Sequence, residues 1–275
     1  MLSSPPPSLT LRWSGCTDKG RFRSNNEDSF LALTFDSREV RYLGKIGEGA
    51  LANEDFVFAV SDGMGGAKSG EFASKIATDK ITKLLPKSFK HSAQGLSAGF
   101  GDVLGELFDA IHKELTALGR WYEECRDMGA TLSLGWFTPE WMFFGHLGDS
   151  RIYYVPHDGP MKQITHDHTF VGFQFRQGLL NEREARNHPR RNILQKCLGA
   201  GHQFIDPHMG AVGFAAGDKI LICSDGVVDG LWNSGIESRL RAPLPEGETH
   251  AHRLVMDAIA EGSRDNVTAL VIEVV

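Results

Sequence analysis

The chain has 275 residues, of which 41% are hydrophobic and 23% charged, and its formal net charge is -6. A chain of this size and composition can bury the core of a globular domain, and its acidity, without a run of basic residues, argues against a nucleic-acid-binding surface. No apolar stretch approaches the roughly 20 residues of a membrane span, so we expect no such span.

The N-terminal segment and the cysteines bear on the cellular compartment. Residues 1–8 lack the basic start and the apolar stretch of a signal peptide, and we predict a disordered tail there, ahead of a single domain over residues 9–275. The four cysteines are scattered, without the paired spacing of a zinc site. We therefore expect reduced thiols in a cytoplasmic protein, and no zinc.

The first part of the chain alternates strands with polar connections. Residues 9–16 and 30–34 have strand-like patterns on either side of a polar loop. Residues 36–55 are less regular, and we interpret them as a hairpin or a surface insertion. Residues 56–60, an apolar run rich in Val and Phe, predict a buried strand that leads to Asp62. The three glycines that follow Asp62 permit positive φ and a close approach of the backbone to a ligand.

Two long helices follow, each with an apolar face suited to covering a sheet. Phe72 and Ile76 belong to the apolar face of the first, which we predict to end at Pro86. The apolar residues of the second run from Leu96 to Leu118. Neither helix carries residues to which we assign chemistry.

The second half combines further strands with shorter helices. Its predicted strands cover residues 130–137, 141–147, 152–155, 212–214, 219–224 and 267–275. Residues 165–199 are polar and predict short helices outside the main layers, and residues 251–259 predict a late amphipathic helix. Many strands in hairpins with segregated long helices indicate an α+β layered fold rather than alternating βαβ units.

Five aspartates lie beside predicted strand ends: Asp28, Asp62, Asp149, Asp225 and Asp265. Each alone is most simply a turn or a helix cap, but carboxylates gathered in space would repel one another unless cations held them. Coordination by oxygen alone favours Mg²⁺ or Mn²⁺. Two such ions that shared a carboxylate would make hydroxide available for hydrolysis of a phosphate ester, and Arg23 is the candidate for binding the phosphate.

Six ordered motifs carry a resemblance to a known family. They are Arg23-x-x-Asn26-Glu27-Asp28, Ser61-Asp62-Gly63-Met64-Gly65-Gly66, Gly129-Ala130-Thr131, Gly148-Asp149-Ser150-Arg151, Ser224-Asp225-Gly226 and Ser263-Arg264-Asp265-Asn266. From about Trp13 to the C-terminus the sequence resembles the metal-dependent protein phosphatases, the PPM or type 2C serine/threonine phosphatases, and in particular their bacterial branch. The resemblance implies a four-layer α-β-β-α sandwich of two antiparallel sheets flanked by helices, with the metals in a cleft at one end of the sheets.

The resemblance also implies the metal ligands. Asp62 would bridge two Mn²⁺ or Mg²⁺ ions, and the carbonyl oxygen of Gly63 would bind one of them. Asp225 and Asp265 would complete the coordination of the second ion. Asp149, together with Asp225, is similar to the weaker third-metal site of bacterial members.

The same resemblance implies supporting roles around the metals. Glu27 and Asp28 look like the acidic pair that orients metal-bound water, and Arg23 would bind the substrate phosphate. Asn266 and Ser224 would support their neighbours rather than bind metal.

Two further features concern the substrate and the proton donor. Residues 165–199 fall where bacterial members carry a flap beside the active site, which implies a role in substrate selection. Family members often carry a histidine at the position of Met64 or just after the second glycine, which is Ala67 here. The general acid is therefore unassigned, with His166, His168 or a metal-bound water as candidates.

These inferences predict a Mn²⁺/Mg²⁺-dependent phosphatase that hydrolyses phosphoserine and phosphothreonine in proteins by in-line attack of a metal-bridged hydroxide. The alternative is a regulatory member of the same fold that binds phosphoproteins with little turnover, and a third reading is a hydrolase of small phosphate esters. We expect a monomer whose partners are phosphorylated proteins, since bacterial relatives commonly oppose a serine/threonine kinase.

Overall fold

The computed structural model of the protein describes residues 9–36, 39–52, 54–93 and 99–275. The predicted tail at residues 1–8 and the predicted start of the second helix at Leu96 lie outside the described residues. In chain order the strands are β1 (Thr10–Asp18), β2 (Asp28–Phe35), β3 (Val40–Tyr42), β4 (Ile46–Ala50), β5 (Asp55–Met64), β6 (Gly129–Ala130), β7 (Leu132–Phe137), β8 (Trp141–Leu147), β9 (Arg151–Val155), β10 (Lys162–Gln163), β11 (Leu198–Gly199), β12 (His208–Gly213), β13 (Lys219–Cys223) and β14 (Val267–Val274).

The helices of the described residues fall into three groups along the chain. The long pair is followed by two short helices within residues 165–199 and by three helices between β13 and β14. They are α1 (Ala67–Ala93), α2 (Phe100–Trp121), α3 (Phe170–Arg176), α4 (Glu182–Arg186), α5 (Asp225–Gly230), α6 (Asn233–Arg241) and α7 (His250–Ala260). None of these helices is both long and apolar enough to cross a lipid bilayer.

The strands form two sheets in which neighbouring strands are antiparallel. The first sheet has the order β10-β9-β13-β14-β1-β4. The second has the order β11-β6-β5-β7-β8-β12, with β2 paired to β5 and β3 paired to β2. The predicted α+β fold with two antiparallel sheets is confirmed.

Apolar residues on both sides of each sheet explain why the sheets are stacked and covered. Trp13, Phe58 and Ile272 belong to the core between the two sheets. A second core joins the outer face of the β5 sheet to α1 and α2, and a third joins the outer face of the β14 sheet to α5, α6 and α7. Because β5 and β14 are buried on both faces, their sequences are continuous apolar runs rather than alternating ones. The result is the predicted order of layers, α-β-β-α.

The first long helix differs from its prediction in two respects. It passes Pro86 and ends at Ala93, since a proline removes one backbone donor from the helix but does not prevent a long helix from continuing. Phe72 is 49% exposed, so it does not belong to the core. The sheet is covered instead by Ala73, Ile76, Ala77, Ile81 and Leu85.

The connection over residues 36–55 begins as a hairpin, because β3 returns antiparallel to β2, and it then crosses to the other sheet. Its strand β3 extends the second sheet, whereas β4 pairs with β1 at the edge of the first sheet. Gly47 and Gly49 lie over Trp13 and Phe56, because a Cβ at these glycines would stand 2.4 and 2.6 Å from the rings. The lack of side chains on this face of β4 therefore lets an edge strand close over two aromatic residues.

Candidate metal centre

Asp28 and Asp62 lie directly opposite each other on the paired strands β2 and β5. The main chain of Asp62 is fixed from the other side by Thr131, whose Oγ1 accepts from Asp62 N at 3.0 Å and whose N–H donates to Asp62 O at 2.8 Å. The next residue, Gly63, donates its N–H to the carbonyl of Glu27 at 3.2 Å. The register of two buried strands therefore places both carboxylates at the same end of the second sheet.

The other three aspartates lie together at one end of the first sheet. Asp225 comes two residues after the end of β13, Asp149 two residues before β9, and Asp265 two residues before β14, and these strands are neighbours. The turn of Asp225 is pressed against that of Asp265, since a Cβ on Gly226 would lie 1.9 Å from the carbonyl oxygen of Asn266. Only glycine fits there.

Asp28 links the two sheets at this end. Its Oδ2 accepts hydrogen bonds from Ser224 Oγ at 2.7 Å and from Thr268 Oγ1 at 2.6 Å. Both hydroxyls belong to the first sheet or its connections, whereas Asp28 begins a strand of the second. Ser224 therefore acts here as a support for a carboxylate, as the sequence suggested.

Burial and mutual repulsion raise the pKa values of the carboxyls of Asp28, Asp62, Asp149 and Asp225. Burial is the main cause for each, and it raises the pKa of Asp28 to about 6 and that of Asp149 to about 7. The pKa of Asp62 lies well above the usual range through burial and then the charges of Asp28, Asp225 and Asp149. The pKa of Asp225 is likewise raised by burial and then by Asp149 and Asp265. The five aspartates thus share one electrostatic environment.

Two oxygen atoms at the site lack partners and fit a cation. Asp28 Oδ1 and Asp225 Oδ1 are buried and have no hydrogen-bond partner, and a bound cation would satisfy such atoms. Within the described ranges no three side chains of His, Cys, Asp or Glu converge closely enough to hold an ion by themselves. An ion here would therefore depend on one or two carboxylates together with backbone oxygen and water, which is the usual environment of Mg²⁺.

Arg23 and Asp265 form an ion pair. Arg23 Nη2 donates to Asp265 Oδ2 at 2.5 Å, and the other oxygen of Asp265 accepts from Asn266 N at 2.8 Å. The guanidinium is half exposed. The predicted phosphate-binding arginine thus contacts a predicted metal ligand through Nη2, and an ion at Asp265 Oδ2 or a phosphate at Nη2 would compete with this contact.

Asn266 organises the loop that carries Arg23. Its Nδ2 donates to the carbonyls of Lys19 and Asn25 at 2.9 and 2.8 Å, and its Oδ1 accepts from Glu27 N at 2.8 Å. The carboxylate of Glu27 lies against the first turns of α1, because a Cβ at Gly70 would stand 2.2 Å from Glu27 Oε2. Asn266 therefore contacts the backbone around the site through three hydrogen bonds, and its supporting role stays a prediction.

The segment at residues 165–199, here called the flap, is attached to the Asp149 turn. Gly148 N donates to His168 Nδ1 at 3.0 Å, and His168 N donates to Gly148 O at 2.7 Å. Two residues away, Arg151 donates to Asp167 through Nε at 3.0 Å and Nη2 at 2.7 Å. Such a two-point ion pair fixes the orientation as well as the separation of its partners.

The flap is also attached to α5, through a residue to which sequence reasoning assigned no role. Asp229 Oδ1 accepts from Arg191 of the flap at 2.6 Å, and its Oδ2 accepts from Arg264 N at 2.9 Å. Arg186 donates to the carbonyls of Asp229 and Leu231 at 2.6 and 2.8 Å. The only signal for Asp229 in the sequence was its position four residues after Asp225.

The two histidines considered as general acids lie in stacked pairs. The ring of His168 stacks on His146 with centroids 5.0 Å apart, and His166 stacks on His208 at 4.3 Å. Burial, and then the charge of Lys196, lowers the pKa of His168 to about 4, so its imidazole is neutral at neutral pH. His168 therefore does not fit the role of proton donor. No feature of the sequence indicated that His146 and His208 would stack on His168 and His166, because each lies at least 20 residues away from its partner.

Comparison with known proteins agrees with this geometry. A family model described as protein phosphatase 2C matches residues 45–244. The serine/threonine protein phosphatase PstP of Mycobacterium tuberculosis is 33% identical over 98% of this chain, and the chain spans about half of that protein, 46% of its length. The serine/threonine phosphatase stp of Listeria innocua is 30% identical over 94% of this chain and 93% of its own.

A solved structure extends the comparison to the fold. The crystal structure of the catalytic domain of PstP in complex with two manganese ions has a TM-score of 0.72 to this chain, with 30% identity over 98% of this chain and all of that one. The match over most of both chains, together with the aspartates gathered at one end of the two sheets, shows that the chain belongs to the protein phosphatase 2C family.

Proposed function

We propose that this chain is a Mn²⁺- or Mg²⁺-dependent phosphatase of phosphoserine and phosphothreonine in proteins. The observation that carries the proposal is the convergence of Asp28, Asp62, Asp149, Asp225 and Asp265 at one end of the sheets, with two buried carboxylate oxygens lacking partners. Family membership supports the same activity, and the manganese ions bound by PstP support the same class of metal.

The proposed ligands are those that the family resemblance implied. Asp62 would contribute to both ions, Gly63 through its carbonyl to one, and Asp225 and Asp265 to the other. Asp149 with Asp225 would hold a third. When bound, such ions would neutralise phosphate charge and lower the pKa of water at the site.

The chain's own residues would then bind and orient the substrate. Arg23 is half exposed beside the acidic cluster, and after separation from Asp265 its guanidinium would hold two phosphate oxygens. Asn266 would keep that loop in position through its three backbone hydrogen bonds. Asp28 and Glu27 would orient water at the site. The proton donor to the leaving oxygen is unassigned.

Substitution of Asp62 tests the proposal. The wild-type protein is expected to release inorganic phosphate from phosphothreonine peptides only with Mn²⁺ or Mg²⁺, and Asp62→Asn should lower kcat/KM roughly 10³-fold or more because one carboxylate charge at the centre of the cluster is removed. Asp79→Asn, an exposed carboxylate on α1, is the matched control and should retain activity. Binding of phosphopeptides without release of phosphate by the wild type would favour the regulatory alternative instead.

Three further parts of the proposal concern organisation and partners. We propose that residues 9–275 form one catalytic domain with the flap as a subregion, and that its substrates are phosphoproteins made by a serine/threonine kinase. A monomer and a cytoplasmic location stay predictions. The free state of all four cysteines supports that location.

A further inference from the structure

A cavity extends from the metal centre to the space beneath the flap. It begins at Asp149 and Asp225 and continues between α3 and α4 on one side and α5 with the start of α6 on the other. A peptide whose phosphorylated residue lay at the metal centre would therefore have a neighbouring residue within reach of this cavity, because consecutive Cα atoms are about 3.8 Å apart.

The charged side chains of the cavity wall are balanced among themselves. Beyond Asp149 and Asp225, the lining contains three arginines and three acidic residues, Arg151, Arg186, Arg191, Asp167, Glu182 and Asp229. Two ion pairs account for four of them, Arg151 with Asp167 and Arg191 with Asp229. Arg186 donates to two backbone carbonyls, and Glu182 accepts from Asn233 N at 3.2 Å. Each of these six charged side chains thus already has a hydrogen-bond partner within the protein.

The remaining lining combines the polar residues Gln163, Thr169, Asn192 and Asn233 with a group of apolar side chains. Val171 and Leu231 are each 3% exposed and lie in the wall, with Ala185 and Val228 beside them. Phe175 also lines the cavity, yet 41% of its surface is exposed. When another apolar group covers the exposed part of Phe175, apolar surface is removed from water, which is favourable.

We propose that this cavity binds an uncharged, apolar side chain adjacent to the phosphorylated residue, so that the enzyme prefers phosphoproteins with such a neighbour. The inference rests on the proposed function, because it assumes that the phosphate is bound at the metal centre. An apolar side chain gains by covering Phe175, whereas a charged one would lose water and meet charged groups that are already hydrogen-bonded within the protein. Phe175 is the residue that determines this specificity.

The test compares phosphothreonine peptides that differ at one position. Apart from the phosphate and the varied position, each peptide is neutral. The varied residue is Leu, Ala, Asp or Lys, placed immediately before or immediately after the phosphothreonine. We expect kcat/KM with Leu to exceed that with Asp or Lys about tenfold at one of the two positions, the discrimination typical of a small apolar pocket. Equal rates for all four side chains at both positions would overturn the proposal.

Variants of Phe175 then tie the preference to the cavity. Phe175→Ala should reduce the ratio of kcat/KM for the Leu peptide to that for the Asp or Lys peptide to within about threefold of unity, and Phe175→Leu should largely restore it. Phe204→Ala, which removes a phenylalanine that is 87% exposed and not part of the cavity wall, is the control and should keep the ratio. A ratio unchanged by Phe175→Ala would assign the preference elsewhere and overturn the proposal.

Failure of the proposed function has a different signature. In that case neither the peptides nor para-nitrophenyl phosphate would be hydrolysed by the wild type in the presence of Mn²⁺, and the specificity proposal would fall with it. Hydrolysis without a side-chain preference would overturn the specificity proposal alone.

Discussion

Two glycines illustrate how packing around the site restricts single residues. A Cβ on Gly63 would lie 1.9 Å from the carbonyl oxygen of Gly70, and one on Gly226 would lie 1.9 Å from that of Asn266. In both places the obstacle is backbone, which cannot move aside as a flexible side chain would. The residue after each of two central aspartates is therefore restricted to glycine by packing.

We predict that Gly226→Ala displaces the Asp265–Asn266 turn. It should lower the free energy of unfolding by about 2 kcal/mol or more, as overpacking of a close contact does, and reduce Mn²⁺-dependent activity. Thermal unfolding and initial rates measure the two effects. Gly101→Ala is the control, since Gly101 also lies in a helix but a Cβ there would have no atom within 4 Å, and its stability should be unchanged or slightly higher. Equal behaviour of the two variants would contradict the packing argument.

The ion pair between Arg23 and Asp265 leads to a second prediction at this scale. Arg23→Ala should raise KM for a phosphopeptide about tenfold with a smaller change in kcat, because a phosphate-binding cation is lost. It should also lower the Mn²⁺ concentration needed for half-maximal activity, because a cation that competes for Asp265 is removed. Arg21→Ala, an exposed neighbour, controls for charge alone. An unchanged KM would show that Arg23 does not bind the phosphate.

At the scale of secondary-structure elements, the flap depends on α5 for its position. Arg186 and Arg191 reach the carbonyls and the carboxylate around Asp229, and Asp229 also binds the backbone of Arg264. The guanidinium of Arg186 lies 4.4 Å from the ring centroid of Trp232. These contacts join the flap to the two turns that carry Asp225 and Asp265.

We predict that Arg191→Gln loosens the flap while leaving the sheets intact. Amide hydrogen exchange should become faster in α4 and its neighbours but not in β5 or β14, since a partly exposed ion pair contributes roughly 1 kcal/mol or less to local stability. Arg190→Gln changes an exposed neighbouring arginine and should leave exchange as in the wild type. Faster exchange in the sheets would mean that the pair supports the whole fold rather than the flap.

The sequence predicted the long apolar elements better than the short ones. The strand leading to Asp62 and the helices rich in Leu carry a periodic signal, whereas α5 has six residues, two of them glycine, and no periodicity to detect. Asp229 went unrecognised for the same reason. The end of α1 was wrong because proline is an unfavourable but permitted residue within a helix. The pairing of β4 with β1, in the other sheet from β3, could not be predicted because residues 36–55 contain no information about that partner strand.

For the whole molecule, the acidic cluster couples folding to protonation. The folded pKa of Asp149 is about 7 and that of Asp28 about 6, each above the value of 3.8 that an exposed aspartate has. A carboxyl whose pKa is raised by folding contributes stability that is fully present below about pH 4 and is lost as the pH rises through the folded value. The lowered pKa values of His146 and His168 have the opposite effect on stability. The stability that these histidines contribute is lost as the pH falls below about 6.5.

We therefore predict that the metal-free protein becomes less stable between about pH 6.5 and pH 8. In the absence of metal, Asp149→Asn should be more stable than the wild type at pH 8, by on the order of 1 kcal/mol, and this difference should shrink at pH 5. Mn²⁺ should raise the melting temperature of the wild type more at pH 8 than at pH 5. Thermal unfolding at the three pH values measures both effects, and a difference independent of pH would contradict the electrostatic explanation.

The position of Asp229 on the same short helix as Asp225 has a consequence for protein engineering and for divergence among relatives. A flap transplanted from another member of the family would meet the carboxylate, carbonyls and indole ring of this chain rather than the partners of its own protein. A functional chimera therefore requires that residues 165–199 be exchanged together with residues 225–233. Residues 225–233 also include Asp225. An exchange of the flap with its contacts would therefore also exchange the segment that carries one proposed metal ligand.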